Sequence, residues 1–246
     1  MDTQNTLTTP GEGPLYMQVR KLLTQRISNG AWPPGHLIPS EIKLAQELGV
    51  SQGTVRKAVD DLVSNNVLVR HQGKGTFVAI HDTRRALFHF FPMVGDDGQR
   101  VLPDSRALSV RRLRAKKSEA QALGLQAGAR VIRIERTRDL NDQPTIVESI
   151  VLPAASFPEL GKSGSEPLPN TLYELYEERY GITIHRAEEQ LRAVAASAGD
   201  AKLLGIEPGA PLLEITRLAR TLNGTPVELR VSRCLTRAHH YQSSFV

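Results

Sequence analysis

Apolar residues recur every three to four positions in three short windows near the start of the chain, then change to alternation. Leu15, Val19, Leu22, Leu23 and Ile27 fall on one helical stripe, opened by Pro14 at a position a first turn tolerates and closed by Gly30. Trp32-Pro33-Pro34-Gly35 forces an extended, turned connection, with Trp32 expected in the core. Leu44, Ala45 and Leu48 give a second stripe, which Ser40 can cap although Lys43 takes the place of the Glu or Gln of a full capping box. Ile42 falls off that stripe. Gly49 suits the left-handed residue that ends this helix, Val50 plugs the corner, and Ser51 caps a third helix carrying Val55, Val59 and Leu62. The predicted helices are 15–28, 40–48 and 51–65. Residues 67–78, VLVRHQGKGTFV, then read as two short strands around a Gly-Lys-Gly tip.

Two short helices joined by a tight Gly turn form a helix-turn-helix, whose second helix enters the DNA major groove by its N-terminal residues. Those residues are Ser51, Gln52, Thr54 and Arg56. A solvated helix face is the plain alternative for Arg56, and helix pairs of this kind also occur in cores that never meet DNA. The hairpin weighs towards DNA, because a wing beside a helix-turn-helix brings Gly73 and Lys74 to its tip, where backbone and one cation approach a phosphate.

Residues 80–85, IHDTRR, lack periodicity and read as a linker. Beyond them the pattern predicts a strand at 86–91, a loop over 92–105, a strand at 108–113 and a short helix at 118–123 capped by Ser118. The cations Arg106, Arg111, Arg112, Arg114, Lys116 and Lys117 fit a solvated edge strand better than a second nucleic-acid surface. An internal repeat follows: residues 124–144 align with 205–226, each a Gly turn, an alternating strand, a turn at Asn141-Asp142 or Asn223-Gly224, and a returning strand opened by Pro144 or Pro226. Between the two hairpins lie a helix at 171–180 closed by Gly181, a strand at 184–195 and a short helix at 198–204. Hairpins interleaved with helices describe an α+β domain around an antiparallel sheet.

Composition narrows the classes. At 246 residues with 40% apolar content the chain holds two packed domains, preceded by a loose tail over residues 1–13. The net charge of +5 suits an anionic partner, yet it is spread evenly, with eight basic against six acidic residues in the first 80 and 23 against 20 in the rest. A single cysteine, Cys234, excludes an intrachain disulfide and points to a reducing compartment. No apolar run reaches membrane-span length and the start lacks a signal peptide, so the expected location is cytoplasmic, with no membrane partner. No Cys-His or Ser-His-Asp spacing stands out, His239-His240 has no partner in view, and no residues gather as metal ligands. Catalytic residues, metal and cofactor are expected to be absent.

The second half carries its own chemistry. Arg136 and Arg138, two apart on a strand, share a face and make a clamp for phosphate or carboxylate, unless they are a salt-bridged surface strand. Thr171 stands where free N–H groups at a helix start favour an anion. Glu148 and Glu228 accept ligand hydroxyl or amine hydrogens, or hold the arginines in place.

The first domain, residues 14–79, resembles the N-terminal winged helix-turn-helix of GntR-type bacterial transcription regulators. The resemblance is carried by PLY, PPG-x-x-x-PSE, LA-x-x-x-GVS, TVR-x-A and GKGTFV and covers nearly its whole length. It implies a homodimer, acting as a repressor or activator, that binds a short two-fold symmetric operator in double-stranded DNA, recognition helix in the major groove and wing tip in the minor groove. Two positions depart from the family pattern. Arginines common after the PSE glutamate and after the GVS serine are here Ile42 and Gln52. Glutamine pairs best with adenine N6 and N7, so the base opposite Gln52 is expected not to be the usual guanine, and Lys43 recovers part of the phosphate attraction lost at Ile42.

Residues 86–246 resemble the ligand-sensing domain of the HutC branch of that family, called UTRA, which has a chorismate-lyase-like fold. The carriers are R-x-R before the turn, x-LYE-x-x-E-x-x-YGI, and LG-x-x-x-G-x-PLL. This implies effector binding and dimerisation, with a small anionic metabolite, a sugar phosphate or a carboxylate, at Arg136, Arg138, Glu148, Thr171, Tyr173 and Glu228. The lyase-like fold raises an enzyme as the rival reading, and a ligand-free architectural protein is a second; fold alone does not confer chemistry. The mechanism expected is a two-state dimer in which ligand selects between two arrangements of the DNA-binding heads, the 80–85 linker absorbing the change.

Overall fold

The computed structural model describes residues 13–64, 67–79, 91–162 and 168–243. The tail (except Gly13), the linker and all but Phe91 of the strand expected at 86–91 lie outside these residues. The chain divides into two compact units, Met1–His81 and Asp82–Val246.

In the first unit, helices α1 (Leu15–Ser28), α2 (Glu41–Leu48) and α3 (Gln52–Ser64) precede a hairpin of β1 (Leu68–His71) and β2 (Gly75–Val78). Their stripes are buried: Val19 and Leu23, Leu44 and Leu48, Val55, Val59 and Leu62 are all shielded from water, as is Trp32, and both α1 and α2 pack on α3. Each such side chain contributes about 1.5–3 kcal/mol on leaving water. The turn between α2 and α3 depends on Gly49, which sits at φ 67° and sends its N–H to the Ala45 carbonyl. Ser40 caps α2 by accepting from the Lys43 N–H, and Ser51 caps α3 by accepting from the Thr54 N–H. The wing is extended by the backbone before α2, since Ile38 donates to the Thr76 carbonyl and Val78 to that of His36.

The second unit is built on a six-stranded antiparallel sheet. Its strands are β4 (Asp104–Arg114), β5 (Arg130–Leu140), β6 (Gln143–Pro153), β7 (Ile184–Ala195), β8 (Pro211–Thr221) and β9 (Pro226–Cys234), in spatial order β4-β5-β6-β9-β8-β7. The two repeat copies meet at the β6–β9 seam. The repeat is longer than the sequence alignment indicated: β4-α4-β5-β6 in one copy matches β7-α6-β8-β9 in the other, where α4 is Lys117–Ala122 and α6 is Ala198–Leu204. The β5–β6 hairpin turns at Asn141 and Asp142, both at positive φ as a two-residue turn requires. The β8–β9 turn is wider than Asn223-Gly224, because Thr221 donates to the Thr225 carbonyl and the Asn223 side chain accepts from the Thr225 N–H.

The sheet's two faces bury different things. Val131, Val151 and Leu123 pack together on one face, as do Leu204 and Leu212 further along. On the other, α5 (Leu172–Tyr180) lays Leu172, Tyr173 and Tyr176 over Ile132, Ile134, Ile150 and Phe157. The basic strand β4 is an edge, and Arg112 there ties down the Phe157 and Leu160 carbonyls.

Two local expectations are corrected. Ser118 is not the cap of α4; the helix starts at Lys117 and the Glu119 carboxylate accepts from the Lys116 N–H instead. The region 92–105 is not loop throughout, since it holds β3 (Met93–Gly95), paired antiparallel with β10 (His239–Tyr241), and the start of β4. No helix among the described residues is long and apolar enough to cross a membrane.

Candidate functional site

On the first unit, Ser51, Gln52 and Arg56 are exposed and Thr54 half-buried along the opening turns of α3. Ser51 and Thr54 also bond to each other through their hydroxyls at 2.8 Å, which orients both side chains. Arg56 is not free. Its Nε donates to Glu41 at 2.9 Å, and the other Glu41 oxygen accepts from Arg70 of the wing, also at 2.9 Å. One carboxylate at the start of α2 thereby fixes an arginine of α3 and one of β1 together. Lys43 is exposed on α2, Gly73 and Lys74 are exposed at the wing tip, and Gly73 lies at φ 71°, where a side chain would be strained. Ile42 stands 57% exposed.

On the second unit the strand registers bring charged side chains onto the face that α5 covers. Arg136 lies opposite Glu148, Glu148 opposite Ser232, Arg217 opposite Arg230, and Glu189 opposite Arg217. Arg136 is 1% exposed; it donates through Nε to Glu148 and through Nη1 to the Asn170 carbonyl, 3.4 Å away, just before α5. Glu148 also accepts from Ser232 at 3.0 Å. Arg138 donates to the Ser105 hydroxyl at 3.2 Å, reaches Glu148 only at 3.9 Å, and lies over the Phe91 ring. Glu228 is fully buried and accepts from Tyr173, Tyr176 and both nitrogens of an Arg230 fork at 2.8–3.0 Å. Arg217 pairs with Glu189, which Tyr241 also bonds. Thr171 is buried at the N-terminal cap of α5, and its side chain makes no capping bond.

Burial and charge compete at each group. Burial alone would raise the Glu148 pKa, but Arg136, Arg230 and Arg138 hold it well below the ordinary carboxylate range. Burial pushes Arg138 down to about 9, and Arg136, Arg230 and Arg217 add to this against the pull of Glu148. Tyr173 is pushed up to about 12 by burial and the Glu228 charge. Arg230 is raised well above its ordinary value, Glu228 and Glu148 outweighing its desolvation. Arg138 thus has three arginines and one carboxylate acting on it.

A pocket with about 320 Å³ of empty space, its mouth included, opens at this end of the sheet. Arg138, Arg217, Arg230, Glu148, Ser232 and Cys234 form its polar lining, and Phe91, Pro92, Met93, Ile146 and Ile215 the remainder. Of the six residues singled out from sequence, Arg138 and Glu148 line the pocket, Arg136, Tyr173 and Glu228 sit in the hydrogen-bonded network behind it, and Thr171 is at the helix start. Sequence reasoning missed Arg217, Arg230, Ser232 and Tyr176. The repeat contained the signal for two of them: aligned from its glycines, Arg217 occupies the place of Arg136, and counted from the prolines, Arg230 occupies that of Glu148. Among the described residues, no group of His, Cys, Asp and Glu is arranged to hold a metal ion.

The chain matches the family of bacterial regulatory proteins called gntR over residues 15–78 and the UTRA domain over residues 98–240. It is 33% identical to the HTH-type transcriptional repressor NagR of Bacillus subtilis over 216 residues, covering 87% of this chain and 88% of that protein. It is 34% identical to the histidine utilization repressor of Pseudomonas putida over 215 residues, covering 87% and 84%. The second unit also resembles a solved structure from Bordetella bronchiseptica, described as the ligand-binding domain of a GntR-family regulator. That match has 38% identity, covers 64% of this chain and 98% of the other, and has a TM-score of 0.59.

Proposed function

Since the chain belongs to the GntR family of bacterial transcription regulators, in the HutC-type branch that joins a winged helix to a UTRA domain, and is a regulator and not an enzyme, we propose that it represses transcription as a ligand-controlled homodimer in the cytoplasm. Each protomer reads half of a two-fold symmetric operator with Ser51, Gln52, Thr54 and Arg56 in the major groove, supported by Lys43 and by Gly73 and Lys74 of the wing. Heads spaced for successive major grooves, about 34 Å apart, bind; another arrangement does not. A small anionic metabolite in the second unit selects between the two, and does so only through unequal affinity for them. The residues proposed for it are Arg138 and Glu148, which line the pocket, with Arg136, Thr171, Tyr173 and Glu228 positioned behind them.

The observation that supports this best is the set of four nearly buried arginines, Arg136, Arg138, Arg217 and Arg230, on one sheet face beside an open pocket. These four arginines pair with three carboxylates among the described residues, Glu148, Glu189 and Glu228, and a bound anion offsets the remaining positive charge. The test is thermal stabilisation of wild type and Arg136→Ala by sugar phosphates and carboxylates, followed by a gel shift with whatever stabilises. A ligand that stabilises wild type alone and changes duplex affinity supports the reading. Equal stabilisation of both proteins by every active ligand removes Arg136 from the site. At the operator, selection from random DNA should return a base other than guanine opposite Gln52, and Gln52→Ala should relax that position.

A further inference from the structure

The two copies of the repeat differ in charge at equivalent places. In the first copy the cross-strand pair is Arg136 opposite Glu148; in the second it is Arg217 opposite Arg230. Like charges directly opposite on neighbouring strands oppose pairing, and these two are 7% and 6% exposed. They reach the same pocket as Arg138, so three guanidiniums converge on a space whose wall supplies one carboxylate, Glu148.

Each carboxylate nearby already accepts from at least two side chains, and Glu228 from three. Glu148 accepts from Arg136 and Ser232, Glu228 from Arg230 and two tyrosines, and Glu189 from Arg217 and Tyr241. A ligand rich in hydroxyls needs acceptors for them, and each one buried without a partner weakens binding. Five of the eleven lining residues are apolar, and the polar ones gather around the arginines.

We propose that Arg138, Arg217 and Arg230 form the anion-holding end of this pocket, and that its ligand is a small carboxylate with an apolar, aromatic or branched body rather than a polyhydroxylated sugar phosphate. This rests on the ligand-sensing reading given above and narrows its ligand class. The depressed pKa of Arg138 agrees with it, because an entering carboxylate supplies the negative charge that burial and three neighbouring arginines withhold.

Calorimetric titration of the full chain with benzoate, phenylacetate, 3-methylbutanoate, glucose 6-phosphate and inorganic phosphate tests it. At least one carboxylate is expected to bind at one per chain, about tenfold or more tighter than either phosphate compound, and Arg217→Lys, which keeps the charge but loses the fork, weakens it about tenfold. Tighter binding of glucose 6-phosphate than of every carboxylate overturns the proposal, as does carboxylate affinity unchanged in Arg217→Lys. If that variant does not fold, Ile215→Phe replaces it: loss of carboxylate binding on narrowing the apolar wall supports the proposal, and unaltered binding overturns it. Glucose 6-phosphate that binds and shifts duplex affinity sinks only the ligand class. Absence of binding by all five compounds, with duplex affinity unmoved, sinks the ligand-sensing reading as well.

Discussion

Arginine–glutamate pairs occur in both units, and their surroundings give them different uses. Glu41 holds Arg56 and Arg70 where those side chains remain 59% and 44% exposed, whereas Arg136 and Glu148 meet at 1% and 3%. Exposed pairs contribute only about 0–1 kcal/mol, so the first unit's arginines can leave their carboxylate at small cost to the fold. Desolvated pairs behave otherwise. Once both charges have left water, removing one strands the other, which costs about 3–5 kcal/mol. The first unit keeps its cations oriented but exchangeable; the second commits its cations to the fold and leaves an excess of positive charge at one open end.

The largest expected effect breaks the buried side of that contrast. Glu148→Ala should lower unfolding stability by about 3–5 kcal/mol in a urea titration, since Arg136 loses its carboxylate while 1% exposed. A loss near that of a surface pair would show that water reaches this face. The same group predicts a pH dependence. Because the folded Glu148 pKa lies below its ordinary value of 4.5, its contribution is fully present above that value and is lost as pH falls below it. Glu148→Gln should therefore flatten the acid limb of stability against pH, and wild type should show the steeper limb. Smaller is Tyr176→Phe, which removes one of four donors to Glu228; about 1–2 kcal/mol is expected from thermal unfolding.

On the exposed side, Gly49→Ala should cost about 1 kcal/mol, because its left-handed φ of 67° strains any residue with a Cβ even though the space is open. Glu41→Gln is expected to change stability by less than about 1 kcal/mol. Its effect is on DNA: releasing Arg56 and Arg70 and removing a negative charge should raise affinity for any duplex and shrink the preference for one sequence, read by fluorescence anisotropy against scrambled competitor. An unchanged preference would mean that Glu41 does not orient Arg56 for reading.

Local rules made much of this fold legible. The bounds of α1, β7 and α6 follow from periodicity interrupted by glycine, and Ser40, Ser51 and Gly49 act as caps through bonds that reach no farther than three or four residues. The β3–β10 ribbon was not legible, because it joins three-residue strands more than 140 residues apart and neither shows a period. The α4 cap was misassigned because Ser118 has the preferred side chain, while the Lys116 backbone and Glu119 carboxylate made the bond. For the site, the spacing of Arg136 and Arg138 gave a shared face. What spacing does not give is cross-strand register, and register is what sets Arg217 against Arg230 and brings Ser232 to Glu148. Alternation also does not say which face is covered, and here α5 covers part of the face that carries the polar positions.

The central claim is that one unit reads a particular duplex and an anion in the other alters how firmly. Anisotropy titration of a duplex selected from random DNA, against a scrambled duplex at about 0.15 M salt and with or without an anion that stabilises the protein, tests it most directly. The account predicts about 1,000-fold or greater preference for the selected duplex, and a change of about tenfold or more when the anion is added. Equal affinity for both duplexes, unmoved by any stabilising anion, would contradict it.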